Sequence, residues 1–311
     1  MSHSGSSWYT CMHDNYTAGQ TSCLYINNCK PMNIFLGALA AFGFISNLLV
    51  FILIWIDKNL NNPIYIGIQL LSIPDSIVLS IRFLWIAIPS IDYKSRDTSR
   101  LLAVSVVVMA IYLTSCVSSA AHVLLLAVQQ YLLIAHPIKS RLWITRRKTV
   151  ISSMVLWTIT AIIMVPYIYL IYVNHDYKIE TSIFNDVYTA IYYVVPIAIL
   201  LTLHVLKTKA LRSSLLNRDA ALKRVSRMIS LVILSYVITT APTNVKGVLE
   251  LSYCTMIDEW YIVFGHIGNI LLFLNYTINP YIYFLSTPQF RHALIICCRF
   301  SYRNNNSMLY K

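Results

Sequence analysis

The stretch Phe273–Tyr283 reads FLNYTINPYIY and lies inside a long apolar run that begins near Trp260. It places asparagines, a proline and several tyrosines where lipid would surround them, and polar groups at that depth are costly. A proline in a membrane-spanning helix frees a backbone carbonyl, so Asn279 and Pro280 together predict a kink with polar partners nearby. Asn275 and Asn279 are four residues apart and share one helix face. The amides favour a specific polar site, although an isolated asparagine beside a proline would equally fit simple helix-to-helix hydrogen bonding.

The composition of the whole chain excludes a soluble globular domain. Of 311 residues, 57% are hydrophobic and only 12% are charged, with a mean hydropathy of +0.62. Windows of about 20 apolar residues predict seven membrane-spanning helices. These spans are Asn33–Ile56, Ile64–Ile88, Leu101–Ile134, Val150–Tyr172, Val187–Leu206, Met228–Leu251 and Trp260–Leu285. We therefore predict an all-α, seven-transmembrane bundle at residues 32–286, an extracellular segment at 1–31, and a short amphipathic membrane-parallel helix with a cytoplasmic tail at 287–311.

The distribution of charge predicts the orientation. The net charge is +12, but the basic residues concentrate in alternate connections, above all Lys139–Lys148 and Lys207–Arg227, while most acidic residues lie in the others. This pattern favours contact with lipid headgroups over nucleic acid and predicts a multi-pass plasma-membrane protein with its N-terminus outside and its C-terminus inside. Lys207 is counted here with the cytoplasmic charges, and Arg82 is assigned to the outer membrane edge.

Several residues in the predicted connections are candidates for covalent modification. Asn15 begins a glycosylation sequon on the outer side. Four cysteines share that side and allow three pairings, of which we favour Cys254 with one N-terminal cysteine; the set is Cys11, Cys23, Cys29 and Cys254. Cys297 and Cys298 follow the last span beside basic residues, which suits palmitoylation or, equally, an inert reduced pair.

The polar and proline residues inside the spans resemble those of the rhodopsin-like (class A) G-protein-coupled receptors across nearly the whole chain. One marker residue or motif lies in each of six spans, and one follows the last span: Asn47, Asp75, Trp157, Pro196, Pro242, Asn279–Tyr283 and Pro288–Arg291. The resemblance implies a receptor that passes extracellular ligand binding to a heterotrimeric G protein by helix movement. It also implies switch residues, namely Gln130, Tyr131, Pro242, Asn279, Pro280 and Tyr283.

The resemblance also implies a sodium ion near Asp75. In this family the positions of Asp75 and Ser119, with the asparagines at Asn275 and Asn279, help to bind the ion. The chemistry agrees, because a hard cation prefers carboxylate, hydroxyl and amide oxygens. The alternative is a hydrogen-bonded cluster without an ion. No other cofactor is expected.

Three departures from the family pattern bear on function. Gln129, Gln130 and Tyr131 replace the acidic-Arg-Tyr motif, so the arginine that contacts the G protein is missing. Ser105 stands where the usual cysteine of span three is expected, and Thr240 replaces the usual tryptophan of span six. An atypical receptor that binds ligand without coupling to a G protein is therefore the main alternative hypothesis.

The ligand is constrained by what the spans contain. The last span has no lysine for retinal, and Tyr112 occupies the position of the counter-ion for an amine. Aromatic and polar residues that could line an outer cavity, but that could singly be packing or interface residues, are Trp85, Tyr112, Cys116, Tyr167, Tyr192, Tyr193 and Asn244. An acidic rim and the similarity of Ala135–Thr145 to invertebrate FMRFamide-type receptors predict a basic, amidated neuropeptide.

Two other classes fit less well. A transporter or channel is disfavoured because the chain lacks inverted repeats and carries a single acidic residue deep in the spans. An enzyme is not expected, since the spans contain no metal-ligand spacing and no nucleophile with a recognisable base.

Overall fold

Seven long helices make up most of the computed structural model, which describes residues 30–87, 98–173, 190–213, 220–252 and 259–297. They are α1 (Lys30–Ile56), α2 (Pro63–Ala87), α3 (Thr98–Ala135), α4 (Arg146–Val173), α5 (Val195–Ser213), α6 (Ala220–Ser252) and α7 (Glu259–Ser286). Residues 288–297 form a short eighth helix, α8. A 3-10 turn (Lys58–Leu60), a loop helix (Pro137–Trp143) and a π-helical turn (Ala190–Val194) complete the described segments. The predicted all-α seven-helix bundle with a short terminal helix is confirmed.

The predicted span limits differ from the helices mainly at the connections. Helix α5 runs on to Ser213 and α6 begins at Ala220, so both continue beyond the predicted spans into the basic connection. The predicted start of span five at Val187 lies outside the described residues. The domain limits at residues 31 and 286 stay a prediction.

Helices α1 to α6 each contain a segment that is long and apolar enough to cross a membrane. Helix α7 is 28 residues long and carries three asparagines and a histidine. Large apolar side chains face outward around the bundle, as at Trp55 and Ile162, which are 74% and 67% exposed. Polar side chains such as Asp75 and Gln130 are instead fully buried. Apolar side chains outside and polar side chains inside are the arrangement that a lipid environment requires.

Helices α3 and α7 each pack against several other helices. Helix α3 packs against α2, α4, α5 and α6, while α7 packs against α1, α2 and α6. Helices α1 and α7 approach so closely that a Cβ atom on Gly43 would overlap the Thr277 hydroxyl. Side chains of α3 and α7 can therefore bond to most other helices.

Two prolines leave carbonyl groups that side chains of other helices satisfy. Pro280 has no N–H for the carbonyl of Tyr276, and Asn47 Nδ2 donates to that oxygen at 2.8 Å. Pro196 likewise leaves the carbonyl of Tyr192, within the π-helical turn, and the Tyr236 hydroxyl donates to it at 2.8 Å. The polar partner predicted beside Pro280 is thus Asn47 on α1.

Candidate functional site

Asp75 is the centre of a polar cluster in the middle of the bundle. Its side chain has no exposed surface. The Ser119 hydroxyl of α3 donates to Asp75 Oδ1 at 2.5 Å, and Asn279 Nδ2 of α7 donates to Asp75 Oδ2 at 2.9 Å. One carboxylate on α2 therefore joins α2, α3 and α7 through charge-assisted hydrogen bonds.

The fourth residue predicted for the sodium site has a different partner. The Thr239 hydroxyl of α6 donates to Asn275 Oδ1 at 3.1 Å, so Asn275 connects α7 to α6. The structure brings Asp75, Ser119 and Asn279 into direct hydrogen bonding and places Asn275 in an adjoining contact. Asp75 is bonded to neutral donors only, and a buried carboxylate with neutral neighbours suits a small hard cation, to which Asp75 and Ser119 present oxygens.

A group of tyrosines lies beside the Asp75 cluster, nearer the start of α3. The hydroxyls of Tyr192 and Tyr276 are 2.9 Å apart and join α7 to the π-helical turn before α5. The Cys116 thiol is within hydrogen-bonding range of Tyr112 and Tyr276. Tyr112, Cys116 and Tyr192 are buried, so three of the predicted ligand-lining residues meet at one depth.

The other predicted ligand-lining residues differ in position. Trp85 is 42% exposed and packs on the Tyr112 ring with centroids 4.9 Å apart. Asn244 Nδ2 donates to the Thr240 carbonyl of its own helix at 2.7 Å, and Tyr193 is half-buried against the core. The side chain of Tyr167 lies outside the described residues.

Arg82, which the sequence assigns to the outer membrane edge, lies near the end of α2 and turns its side chain into the bundle. Its Nε donates to the Tyr112 hydroxyl at 2.8 Å. The guanidinium carbon lies 4.9 Å from the Tyr112 ring centroid, 5.4 Å from that of Phe273 and 5.9 Å from that of Trp85. Arg82 thus joins α2 to α3 and α7 by cation–π contacts. The sequence signal was its place seven residues after Asp75, which puts both on one helix face.

At the end of the bundle where α5 ends and α6 begins, Lys207 joins three helices. Its Nζ donates to Gln130 Oε1 of α3 at 3.3 Å and to the Ser230 hydroxyl of α6 at 2.6 Å. Lys207 is 4% exposed, so this lysine, which the sequence counts with the cytoplasmic charges, is buried between helices. Its cytoplasmic assignment stays a prediction. The contact of Lys207 with Gln130 could not be predicted from the sequence, because spacing along the chain does not give contacts between helices.

The other predicted switch residues lie near this end. Tyr283 is buried and its ring stacks on Phe290 of α8 at 5.8 Å between centroids. Within the described part of the chain, the Tyr283 hydroxyl and Gln130 Nε2 are buried without a hydrogen-bond partner. Tyr131 is half-buried and contacts the His136 ring edge-on at 6.2 Å. Pro242 lies inside α6.

A basic cavity opens beside these residues. It has a volume of about 430 Å³ and is lined by Lys223, Arg224, Arg227, Ser286, Pro288 and Arg291. It lies where the start of α6 meets α7 and α8. Its charges would attract an acidic partner or anionic lipid headgroups.

His122 of α3 contacts α4 through a hydrogen bond and a ring contact. The His122 ring nitrogens lie 2.7 Å from the Ser118 carbonyl and 2.7 Å from the Ser153 hydroxyl of α4. Its ring also meets Trp157 edge-on, with centroids 6.4 Å apart. The contact explains how a fully buried histidine is satisfied.

The modification candidates fall mostly outside the described residues. This applies to Asn15, Cys11, Cys23, Cys29, Cys254 and Cys298. Cys297 is half-buried near the end of α8 and has a free thiol, as has the buried Cys116.

The comparison with known proteins gives one result. A comparison with curated protein sequences found no match. The sequence model of the 7 transmembrane receptor (rhodopsin family) matches residues 46–283, which include the Asp75 cluster, the group of tyrosines beside it and the Lys207 contacts. The chain therefore belongs to the rhodopsin family of seven-transmembrane receptors.

Proposed function

We propose that this protein is a neuropeptide receptor that couples to heterotrimeric G proteins. The observation that supports the proposal most directly is that α3 contacts other helices at three depths. Tyr112 contacts Arg82, Ser119 contacts Asp75, and Gln130 contacts Lys207. From residue 112 to residue 130 a helix rises about 27 Å, nearly the thickness of the hydrocarbon core. One rigid element thus connects the outer cavity to the inner end.

The proposed mechanism is a shift between two arrangements of the bundle. Ligand contacts in the outer cavity would favour an arrangement in which the inner ends of α6 and α7 separate from α3, with bending at Pro242 and Pro280. The bonds of Lys207 to Gln130 and Ser230 belong to the closed arrangement. Lys207 also places a cation beside Gln130, where the family usually has the arginine of α3.

The proposed orientation puts the N-terminus outside the plasma membrane and the basic connections inside. The loop helix Pro137–Trp143 belongs to the inner side, and its Ile138 and Leu142 are 85% and 71% exposed. An apolar and basic surface of this kind suits both a G protein and the membrane interface. The inner basic cavity would face the same partners.

The proposed ligand is a basic, amidated peptide that approaches the acidic outer rim. Its support is the charge of the outer connections and the similarity of Ala135–Thr145 to invertebrate FMRFamide-type receptors. The aromatic residues Trp85, Tyr112 and Tyr192 would supply the apolar contacts.

A sodium ion held by Asp75 and Ser119 is the second part of the proposal. The two residues offer carboxylate and hydroxyl oxygens in a fully buried site between α2 and α3. A bound ion would neutralise the buried carboxylate and stabilise the closed arrangement.

The proposed function is tested with a G-protein reporter in cells that express the chain and receive a library of amidated peptides. We expect a dose-dependent response from at least one peptide. The response should be lost in Asn279→Ala at equal surface expression, because that change removes a donor to Asp75. Saturable peptide binding without any reporter response would contradict G-protein coupling.

Coupling can also be tested without a ligand. Lys207→Met keeps the apolar length of the side chain but removes its bonds to α3 and α6, so we expect basal reporter activity to rise several-fold. Lys58→Met, at an exposed lysine of the 3-10 turn after α1, is the matched control and should not change basal activity. Equal basal activity in wild type and Lys207→Met would contradict the role of this contact.

The sodium proposal predicts ion-dependent stability. The midpoint of thermal unfolding of the purified receptor should be higher in sodium chloride than in choline chloride at equal ionic strength. The difference should disappear in Asp75→Asn and shrink in Ser119→Ala. Ser118→Ala, which removes a neighbouring buried hydroxyl that lies 3.4 Å from His122 Nδ1, should keep it. A wild-type midpoint that does not depend on the cation would refute sodium binding.

A further inference from the structure

Arg82 brings a permanent positive charge beside Tyr112, in the part of the bundle that the proposed function takes as the ligand site. It lies on α2, is half-buried, and points towards α3 and α7. Its electrostatic neighbours in the described part of the chain are Tyr112, Cys116 and Tyr276, none of which is a carboxylate. In that part of the chain, the groups around the guanidinium are therefore ring faces, hydroxyls and a thiol.

The aromatic contacts orient the guanidinium but do not neutralise it. The rings of Tyr112, Phe273 and Trp85 lie within 6 Å of the guanidinium carbon on three helices. Cation–π contacts stabilise a cation by electrostatic attraction to the ring, while the net charge stays in place. Because the surrounding rings are neutral, the half-buried guanidinium still attracts an anion.

Among the residues that the structure describes, most of the hydrogen-bonding capacity of Arg82 is also unused. A guanidinium has five N–H donors, and Nε uses its single hydrogen on the Tyr112 hydroxyl. The terminal nitrogens, which form the remaining fork, are the groups that match the two oxygens of a carboxylate. The bond from Nε to Tyr112 fixes the plane of that fork.

We propose that the outer cavity binds a ligand through a carboxylate group, and that Arg82 is the residue that recognises it. This inference rests on the proposed function only in taking the outer cavity as the ligand site. The buried tyrosine group would accommodate the uncharged part beside the carboxylate, with Trp85 at the 42% exposed edge. In an amidated peptide, the carboxylate would belong to an aspartate or glutamate side chain. Basic residues elsewhere in the peptide would still meet the acidic rim.

The test is affinity selection on the purified full chain in lipid nanodiscs. The probes are short peptides and small organic acids in matched pairs that differ only in carboxylate against carboxamide, and mass spectrometry counts what is retained. Wild type should retain the acids about tenfold or more over their amides, as a charge-assisted fork implies. In Arg82→Gln, the ratio of retained acid to retained amide should fall to about one.

Two variants separate recognition from a structural effect. Arg82→Lys keeps the charge without the planar fork, so it should restore part of the preference for acids. Arg146→Gln removes an exposed arginine that bonds to Asn61 at 3.2 Å, and should behave as wild type. The midpoint of thermal unfolding, measured on each variant, shows whether the Arg82 variants remain folded.

The inference is overturned if acids and amides are retained equally, if no acid is retained, or if Arg82→Gln leaves the preference unchanged. It is also overturned if Arg82→Gln loses the preference only by unfolding while the folded Arg82→Lys shows none. The affinity assay measures binding without a G protein. A receptor that gives no reporter response but retains acids selectively would therefore refute coupling and support carboxylate recognition by Arg82.

Discussion

The structure depends on the rule that polar groups inside a membrane must find partners within the protein. Proline removes a backbone donor, and lipid cannot replace it. Here the carbonyl freed by Pro280 is satisfied by Asn47 of α1, and the carbonyl freed by Pro196 is satisfied by Tyr236 of α6. Each proline thus ties its own helix to another one. The helices with interrupted backbones are held by side chains, whose bonds can change partners more easily than a continuous backbone ladder.

The same rule organises the polar side chains. Asp75 is satisfied by Ser119 and Asn279, and Lys207 bonds to Gln130 and Ser230. Each of these contacts joins three helices, and each includes α3. The bundle is therefore fixed by a few cross-helix contacts at separate depths, while the rest of the surface packs apolar side chains against lipid. A ligand that alters the outermost contact acts on a helix that also carries the innermost one, which is the physical basis of the proposed signalling.

The seven helices could be predicted from the sequence because an apolar run of about 20 residues is the length that a helix needs to cross a bilayer. The sequence also predicted that Asp75, Ser119 and Asn279 belong together, since the resemblance to a family supplied a three-dimensional arrangement. The inward direction of the Arg82 and Lys207 side chains could not be predicted, for a common reason. Long basic side chains can reach water from inside a membrane, so their position near a span end suggests the surface, while their direction depends on neighbouring helices. The roles of Tyr236 and Asn47 as carbonyl partners could not be predicted, because spacing within one helix does not identify contacts with another.

The most direct test of this account is a double-mutant cycle on Tyr236 and Pro196, read as the free energy of unfolding of the purified protein in detergent. Tyr236→Phe alone should cost about 1–3 kcal/mol, because it leaves the Tyr192 carbonyl without the hydroxyl. Pro196→Ala restores a backbone N–H for that carbonyl. In the Pro196→Ala background, Tyr236→Phe should therefore cost much less, with a coupling free energy of about 1 kcal/mol or more. Additive effects of the two changes would contradict the claim that side chains of other helices replace the bonds that proline removes.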